Sequence, residues 1–476
     1  MSTRMTAEPV AALDSARTVA GADKHPRGLY VLFATEMWER FSFYSMLAMF
    51  TLYLQDPNDG FSWSDARATS LYSNYLMFVY ASPLIGGWIA DRKLGYRKSV
   101  MLGGLFFIAG HLLLSFRSLP VVYAALACLV IGNGFFKPNV STMVGNLYPD
   151  GSHLKDRAYN IFYMGINVGA FTAPLVAEAV RQRFGFHPAF AVAAGGMVIS
   201  VLILWLFKRH VEAADRRREQ PAEQQASAAA VAVDAPPTSV SRQEAMDAVP
   251  ESRRIMALIV IFFIVIVFWM VFHQNGSTLT YWANDNTDWA SSEVLPVIIR
   301  VLTLGFVKGD DVSGVISNSI NPFWIITLTF PLVWFWKWLD RRGKEPSTPA
   351  KMAVGMLLTG LSFYILYFAA KAGGDTGRVS PWWLIGAYAV ISLGELMLSP
   401  MGLSLVSKVA PLRLRGLMMG GWFVATAIGN KLTQIGVYWN VWQHSTFFVV
   451  LGSMALFMAL VLVVLLKPLK KAMPGV

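Results

Sequence analysis

The chain has 476 residues, of which 55% are hydrophobic and only 14% charged, with a formal net charge of +11 and a mean hydropathy of +0.47. Soluble domains carry roughly 25% charged residues, so a water-soluble enzyme or nucleic-acid-binding domain is excluded and the composition is that of an integral membrane protein. The lone cysteine, Cys128 in "AALACLV", excludes an intramolecular disulfide and reads as a packing residue.

The first 27 residues are polar and broken by Pro9 and Pro26, so the first span is expected to direct insertion without a cleaved leader. Twelve apolar runs then follow, each long enough for the ~20 residues a spanning helix needs. They cover residues 28–54, 67–90, 98–116, 120–146, 158–180, 187–207, 255–283, 313–339, 350–371, 381–410, 414–438 and 445–466. Residues 293–308, "EVLPVIIRVLTLGFVK", are interrupted by Pro296 and Arg300 and are expected to form an outer loop with an interfacial stretch, not a thirteenth span.

Lys and Arg collect on the cytoplasmic side of a membrane protein. With the N-terminus inside, the cytoplasmic segments hold 29 basic residues and the opposite side 8, which places both termini in the cytoplasm. This asymmetry accounts for the net charge without a nucleic-acid partner, and "RRRE" at 216–219 reads as an inside anchor.

The spans divide into two sets of six. Residues 209–254 are charged and rich in Ala, Pro and Gln, as in a flexible linker. The expected organisation is a tail at 1–27, a first bundle at 28–208, this linker, a second bundle at 255–466 and a tail at 467–476. "WIADRKLGYRK" after the second span is echoed by "WLDRRGKEPS" after the eighth, as in the parallel six-helix repeats of the major facilitator superfamily.

Ionisable groups at mid-bilayer are costly and mark functional cavities. Glu36, Glu39 and Arg40 share one face of the first span, and Tyr44 continues it. Two acids and one base leave a net negative charge, so either a further cation approaches or an acid takes up a proton. Lys137, between Gly134 and Pro138 of the fourth span, is the candidate cation. Glu395 on the tenth span is the acid well inside the second set, and Asn167 and Asn321 add mid-span amides that serve either helix pairing or a ligand. Lys431, and Glu178 beside Arg181, read as helix-end residues reaching for the interface.

These residues lie in a series of motifs: "ExxER" at 36–40, "GGWIADRKLG" at 86–95, "GFFKPNVS" at 134–141, "YNIFYMGINVGAF" at 159–171, "FW" at 268–269, "NP" at 321–322 and "GELMLSPMGLSL" at 394–405. In order and spacing they resemble the proton-dependent oligopeptide transporter family. The resemblance implies an all-α membrane protein with the major facilitator fold, twelve helices in two bundles, and symport of di- and tripeptides with protons by alternating access. It implies that Arg40 and Lys137, helped by Tyr44, hold the peptide carboxylate, and that Glu395, with Asn167 and Asn321, holds the amino group. Tyr80, Trp269, Trp422 and Ser399 would line the space between; for the three aromatics, bundle packing is the other reading.

Glu36 and Glu39 would couple transport to protons by competing with the peptide for Arg40 and Lys137. A Lys137–Glu395 pair would close the inner side when no peptide intervenes. His273 in "FWMVFHQNG" stands where members often carry an acid; it either joins the proton route or bonds a neighbouring helix. The linker is too polar to supply the two extra helices of some bacterial members, and the short "KAGGDTGRVS" loop at 371–380 favours a bacterial inner-membrane protein. No cofactor, metal or obligate protein partner is implied beyond protons, peptide and the bilayer. A nitrate carrier of the same family and a drug or sugar transporter of the wider superfamily are the alternatives. An enzyme is disfavoured, because His111, His153, His210, His273 and His444 are scattered and form no catalytic motif.

Overall fold

The computed structural model describes residues 24–148, 154–215, 246, 248–308, 312–411 and 414–474. The ends of both expected tails, and most of the 209–254 linker with "RRRE" at 216–219, lie outside these residues. Fourteen α-helices are present among the described residues. They are α1 (Arg27–Gln55), α2 (Asp65–Ile89), α3 (Tyr96–Leu113), α4 (Leu119–Asn146), α5 (Leu154–Phe184), α6 (Phe186–Leu206), α7 (Glu251–Phe272), α8 (Thr278–Asp285), α9 (Leu295–Leu302), α10 (Ile320–Asp340), α11 (Thr348–Ala372), α12 (Pro381–Val409), α13 (Arg415–Leu432) and α14 (His444–Ala472).

All but α8 and α9 have 18 residues or more, and these twelve follow the twelve apolar runs. α1, with 29 residues, is about 44 Å long at 1.5 Å per residue, enough to cross a ~30 Å hydrocarbon core. Local chemistry sets the ends. Pro stands in the first turn of α4, α11 and α12, where its fixed φ suits a helix start. Ser64 caps α2 by accepting from the Arg67 amide at 3.4 Å. Eight of the long helices are also apolar enough by hydropathy to cross a membrane; α1, α2, α3 and α13 are not among them. α1 owes its lower hydropathy to Glu36, Glu39 and Arg40, and is a span nonetheless by its length and place in the bundle.

The seventh run is not one continuous helix. α7 stops at Phe272, His273–Gly276 form a 3₁₀ turn, and α8 resumes at Thr278. The Gln274 side chain donates to the Met270 and Thr433 carbonyls at 3.1 and 3.2 Å, and Thr278 donates to Gln274 Oε1 at 2.9 Å. A Cβ on Gly276 would lie 2.0 Å from Tyr72 Oη, so a side chain of α2 occupies the space the break opens.

The two halves repeat one packing scheme. In the first, α1 packs on α5 and α6, α2 on α4, and α3 on α4 and α6. In the second, α7 packs on α13 and α14, α10 on α12, and α11 on α12 and α14. The bundles meet where α2 lies against α13 and α5 against α10. Each has its own apolar core, the first around Phe50, Tyr53 and Phe136, the second around Phe268, Trp282 and Trp439. Large apolar side chains such as Phe263, Trp334 and Val464 face outward, as a lipid-facing surface requires.

The linker leaves the first bundle as packed chain. Lys208–Asp215 form a 3₁₀ segment in which Val211 and Ala214 are fully buried. The Arg97 amide donates to Asp215 Oδ1 at 2.8 Å and Asn146 Nδ2 to the Ala214 carbonyl at 3.1 Å. This segment marks one end of the molecule, called the linker end below.

Candidate functional site

Helix α1 is pinned from behind. Ser42 Oγ donates to the Ala193 carbonyl and Ser200 Oγ to the Thr35 carbonyl, both at 2.6 Å, and Ser45 Oγ donates to the Ala173 carbonyl at 3.3 Å. Gly169 of α5 has no room for a Cβ, which would lie 2.3 Å from the Met37 carbonyl and 3.1 Å from Arg40 Cβ. These contacts turn Glu36, Glu39 and Arg40 toward the interior, where each is at most 3% exposed.

The three do not share charge equally. Arg40 forms a two-pronged pair with Glu39, Nε to Oε2 at 2.5 Å and Nη2 to Oε1 at 2.7 Å. Glu36 Oε1 lies 3.3 Å from Arg40 Nε, whereas Glu36 Oε2 is buried with no hydrogen-bond partner. The Arg40 guanidinium also stands over the rings of Phe43 and Tyr44, at 5.0 and 5.9 Å. Lys137 is near enough for its charge to act on Glu36, Glu39 and Arg40, and its ammonium sits 4.6 Å from the centre of the Tyr80 ring. Asn133 Nδ2 donates to the Val79 carbonyl at 2.7 Å, fixing α4 against α2 so that Lys137 meets Tyr80.

Tyr80 reaches across to the second bundle. Its ring centre is 5.5 Å from that of His273 and 6.5 Å from that of Trp269, and the His273 and Trp269 rings stack at 4.9 Å and 16°. His273 Nδ1 and Trp269 Nε1 are buried without partners. On α12, Glu395 Oε2 accepts from Asn321 Nδ2 at 3.0 Å, and the same amide nitrogen donates to Ser392 Oγ at 2.9 Å. Trp324 Nε1 donates to the Ile385 carbonyl at 3.1 Å and holds α10 on α12 at this level. Asn167 Nδ2 donates to the Tyr163 carbonyl at 2.9 Å. Both Asn side chains thus use their nitrogen on the protein; Asn321 does so on Glu395 itself, which leaves its Oδ1 as an acceptor beside that carboxylate, whereas Asn167 belongs to α5 of the first bundle. Tyr44 is close enough to act electrostatically on both Arg40 and Glu395, and so links the cationic and anionic poles.

The structure therefore brings together Glu36, Glu39, Arg40, Tyr44, Tyr80 and Lys137 of the first bundle, and Trp269 and His273 of the second. It places Asn321 on Glu395 directly. Ser399 lies one turn beyond Glu395 and is half-buried. Trp422 stands apart: it is 4% exposed, edge-on to Phe262, and so tight against α12 that a Cβ on Gly402 would lie 1.8 Å from its ring. Its placement is that of a packing residue.

Three residues escaped the sequence reading. Ser392 shares the Asn321 amide, Tyr163 lies within electrostatic reach of Glu395, and Asn430 is fully buried beside His273. Tyr163 stands one turn before Asn167 in a motif already singled out, and that spacing was its signal. Two expectations are corrected. Glu178 does not reach for the interface; it is fully buried and takes two hydrogen bonds from Arg181, at 2.7 and 2.8 Å, and one from Gln182. Lys431 does not snorkel either, because its ammonium donates to Asn74 Oδ1 of the other bundle at 2.5 Å and to Gln434 Oε1. Asn74 of a helix in the other bundle and Gln434, three residues on, supply the acceptors.

The bond from Lys431 belongs to a seal at the end away from the linker. Gln434 Nε2 donates to Ser70 Oγ at 3.3 Å, Asn440 Nδ2 to Asp65 Oδ2 at 2.7 Å, and Thr69 and Tyr281 hydroxyls meet at 3.1 Å. Thr51 Oγ1 donates to the Gly276 carbonyl at 3.2 Å and Ser319 Oγ to the Phe171 carbonyl at 2.9 Å. In this sealed state Lys137 lies on Tyr80 and Glu395 is bound to Asn321, so the two are not paired with each other. A separate groove of about 800 Å³ between α1, α5 and α6, lined by Trp38, Phe41, Val168 and Ile199, lies behind α1 on the apolar side and away from these charges.

The sequence model described as "POT family" matches residues 97–242 and 311–448. A di-/tripeptide transporter of Lactococcus lactis subsp. cremoris is 31% identical over 95% of this chain and 97% of its own length. Dipeptide and tripeptide permease A of Salmonella typhi is 30% identical over 86% of this chain and 83% of its own. Among solved structures, a peptide transporter POT in complex with alafosfalin superposes with a TM-score of 0.80 at 30% identity, covering 96% of this chain and 99% of that one. A POT family transporter in complex with 5-aminolevulinic acid gives 0.79 at 26% identity, covering 95% and 98%. The matches span both bundles and the transporters are not enzymes; this chain is a multi-pass membrane transporter that belongs to the POT family.

Proposed function

We propose that the chain carries di- and tripeptides into the cell together with protons, from a bacterial inner membrane in which both termini face the cytoplasm. The observation that carries this reading is the opposition of charge across the bundle interface. Arg40 and Lys137 stand on the first bundle, Glu395 with the Asn321 amide on the second, and Tyr44 is within electrostatic reach of both Arg40 and Glu395. A short zwitterion of fixed length satisfies both poles at once, whereas a simple anion leaves Glu395 without a cation. The names of the relatives and the ligands of the solved structures support the same substrate class.

Proton coupling follows from the uneven triad. Glu39 is committed to Arg40 by two hydrogen bonds, while Glu36 keeps one buried oxygen without a partner. A buried carboxylate with an unmet acceptor is the costly partner in such a group, so Glu36 takes the proton. Neutral Glu36 no longer competes for Arg40 and Lys137, and the peptide carboxylate replaces it. The inside-negative potential adds about 2.3 kcal/mol per proton and 100 mV.

The test is uptake of labelled dialanine into liposomes holding the purified protein, with an inward proton gradient and inside-negative potential imposed or omitted. Gradient-dependent accumulation that unlabelled tripeptide blocks and nitrate does not is the expected result. Movement of nitrate or a drug without dialanine would overturn the substrate assignment.

A further inference from the structure

The loop between α8 and α10 contains a helix whose surroundings the transport reading does not use. In α9 and the turn after it, the buried residues are Ile299, Thr303 and Val307, one residue per helical turn. That is a stripe narrow enough to dock the helix on the body of the protein but too narrow to bury it. Apart from Arg300, the rest of its exposed surface is apolar: Val294 is 55% exposed, Val297 59%, Val301 68% and Leu304 84%.

The turn that presents Leu304 is held in place. Gly305 donates to the Arg300 carbonyl at 2.7 Å in a helix-ending turn, with φ of +80° at Gly305 and +52° at Leu304. A leucine in the left-handed region is unfavourable by about 1 kcal/mol or more, so the chain holds outward, at a cost, the most exposed large apolar side chain among the described residues. The turn then brings Phe306 under the Arg183 guanidinium, 5.6 Å from ring centre, at the end of α5 in the other bundle. Arg300 stands at the edge of the apolar face, where a cation on an interfacial helix reaches the headgroups.

We infer that α9 is a membrane-seated elbow: its Val297–Val301–Leu304 face rests in the leaflet at the end away from the linker, with phosphate headgroups at Arg300. The occupant is lipid because Arg183 stands over both Phe306 and Phe184, each an exposed apolar ring, so the bare surface of the elbow adjoins apolar surface at the end of a spanning helix. Because Phe306 rests on Arg183, the elbow joins the second bundle's loop to the first bundle at the sealed end. A leaflet that holds α9 at fixed depth therefore bears on how readily that end opens. The inference rests on the membrane-spanning fold and is independent of the peptide and proton reading.

The experiment removes Cys128 by Cys128→Ser, since it is the lone cysteine, and introduces Val301→Cys or Leu304→Cys for a bimane label in phosphatidylcholine nanodiscs. Quenching by lipids with a nitroxide at shallow depth, with at least threefold less quenching by aqueous iodide, is the expected result. Free access of iodide to both positions would overturn the inference. So would cross-linking of the unlabelled cysteine between two copies, which would assign the face to a protein contact. The label reads depth whether or not the protein transports. In a second measurement, Val301→Asp with Leu304→Asp is expected to slow counterflow exchange in liposomes several-fold while leaving the melting temperature in detergent unchanged. Equal rates would mean that the elbow does not bear on opening.

Discussion

Replacing Asn321 by Ala isolates what holds Glu395 in place. The Asn321 amide nitrogen supplies a hydrogen bond to Glu395 Oε2 at 3.0 Å and a second to Ser392 Oγ at 2.9 Å. A hydrogen bond to a charged group contributes about 1.5–3 kcal/mol, and every ~1.4 kcal/mol is tenfold in affinity. Dialanine binding should therefore weaken roughly 10- to 150-fold, because the carboxylate that receives its ammonium is no longer oriented. Calorimetric titration of the purified protein measures this directly. N-acetyl-dialanine, which lacks the ammonium, is the control, and the substitution should change its affinity little. Glu395→Gln should weaken dialanine too, and the double variant should lose less than the two single losses combined, since both changes disable one receptor for the ammonium. Equal weakening of acetylated and free peptide would refute the reasoning, because it would mean that Asn321 supports the bundle and not the ammonium pole.

Glu36→Gln should abolish gradient-driven accumulation in liposomes while leaving peptide counterflow intact. Glu39→Gln should also lower the melting temperature, because it leaves Arg40 with only the longer 3.3 Å contact to Glu36, and breaking a buried pair costs about 3–5 kcal/mol. Similar melting temperatures for the two would show that the uneven pairing has no energetic weight. Lys431→Met removes the bonds to Asn74 and Gln434, and spin labels on the ends of α2 and α13 should then show a larger population with those ends apart. Asp375, in the loop before α12, bears on acid stability. Partial burial pushes its carboxyl up, but the Ser445 amide at 2.7 Å and Lys371 at 3.2 Å outweigh this and hold it below its usual 3.8. A depressed carboxyl stabilises the fold above its unfolded value and loses that contribution as pH falls through the lower one. The difference in melting temperature between wild type and Asp375→Asn should thus be constant above about pH 5 and shrink below 3.8.

Most of the fold was legible because the bilayer imposes a length on apolar runs and the chain punctuates them with Pro, Gly and Ser. The exception is instructive. Residues 255–272 are apolar and the run resumes at Leu279, so a window that averages over the whole stretch hides the polar "HQNGST" between them; Asn275-Gly276 was the local signal of the turn, and Tyr72 from another helix fills the break. The charged centre of the site was legible for the converse reason, since Glu36, Arg40, Lys137 and Glu395 have no cheap place in lipid. Ser392, Tyr163 and Asn430 were not, because hydroxyls and amides occur in spans for packing as often as for ligands. Trp422 illustrates the limit from the other side: an aromatic ring read as either lining or packing lies edge-on to Phe262 and tight against Gly402 of a neighbouring helix, contacts that spacing along the chain does not announce. Lys431 was misplaced because its acceptor, Asn74, is 357 residues away in sequence.

The chemistry of the sealed end is matched to its task. Under the proposed symport, peptide and proton together must outweigh whatever closes each end. Six hydrogen bonds between the bundles lie toward that end among the described residues, and two of them involve a side chain charged at neutral pH, Lys431 or Asp65. At about 1 kcal/mol net each they hold the end with roughly 6 kcal/mol, close to the ~5.5 kcal/mol needed to move an equilibrium from 1:99 to 99:1. One proton crossing 100 mV supplies ~2.3 kcal/mol, and the difference is of the size that a bound peptide provides. A buried ion pair at the same place would be held far more tightly against loss of either partner, and peptide and proton would have more to outweigh. Hydroxyls and amides keep the seal specific in geometry and cheap to exchange for water.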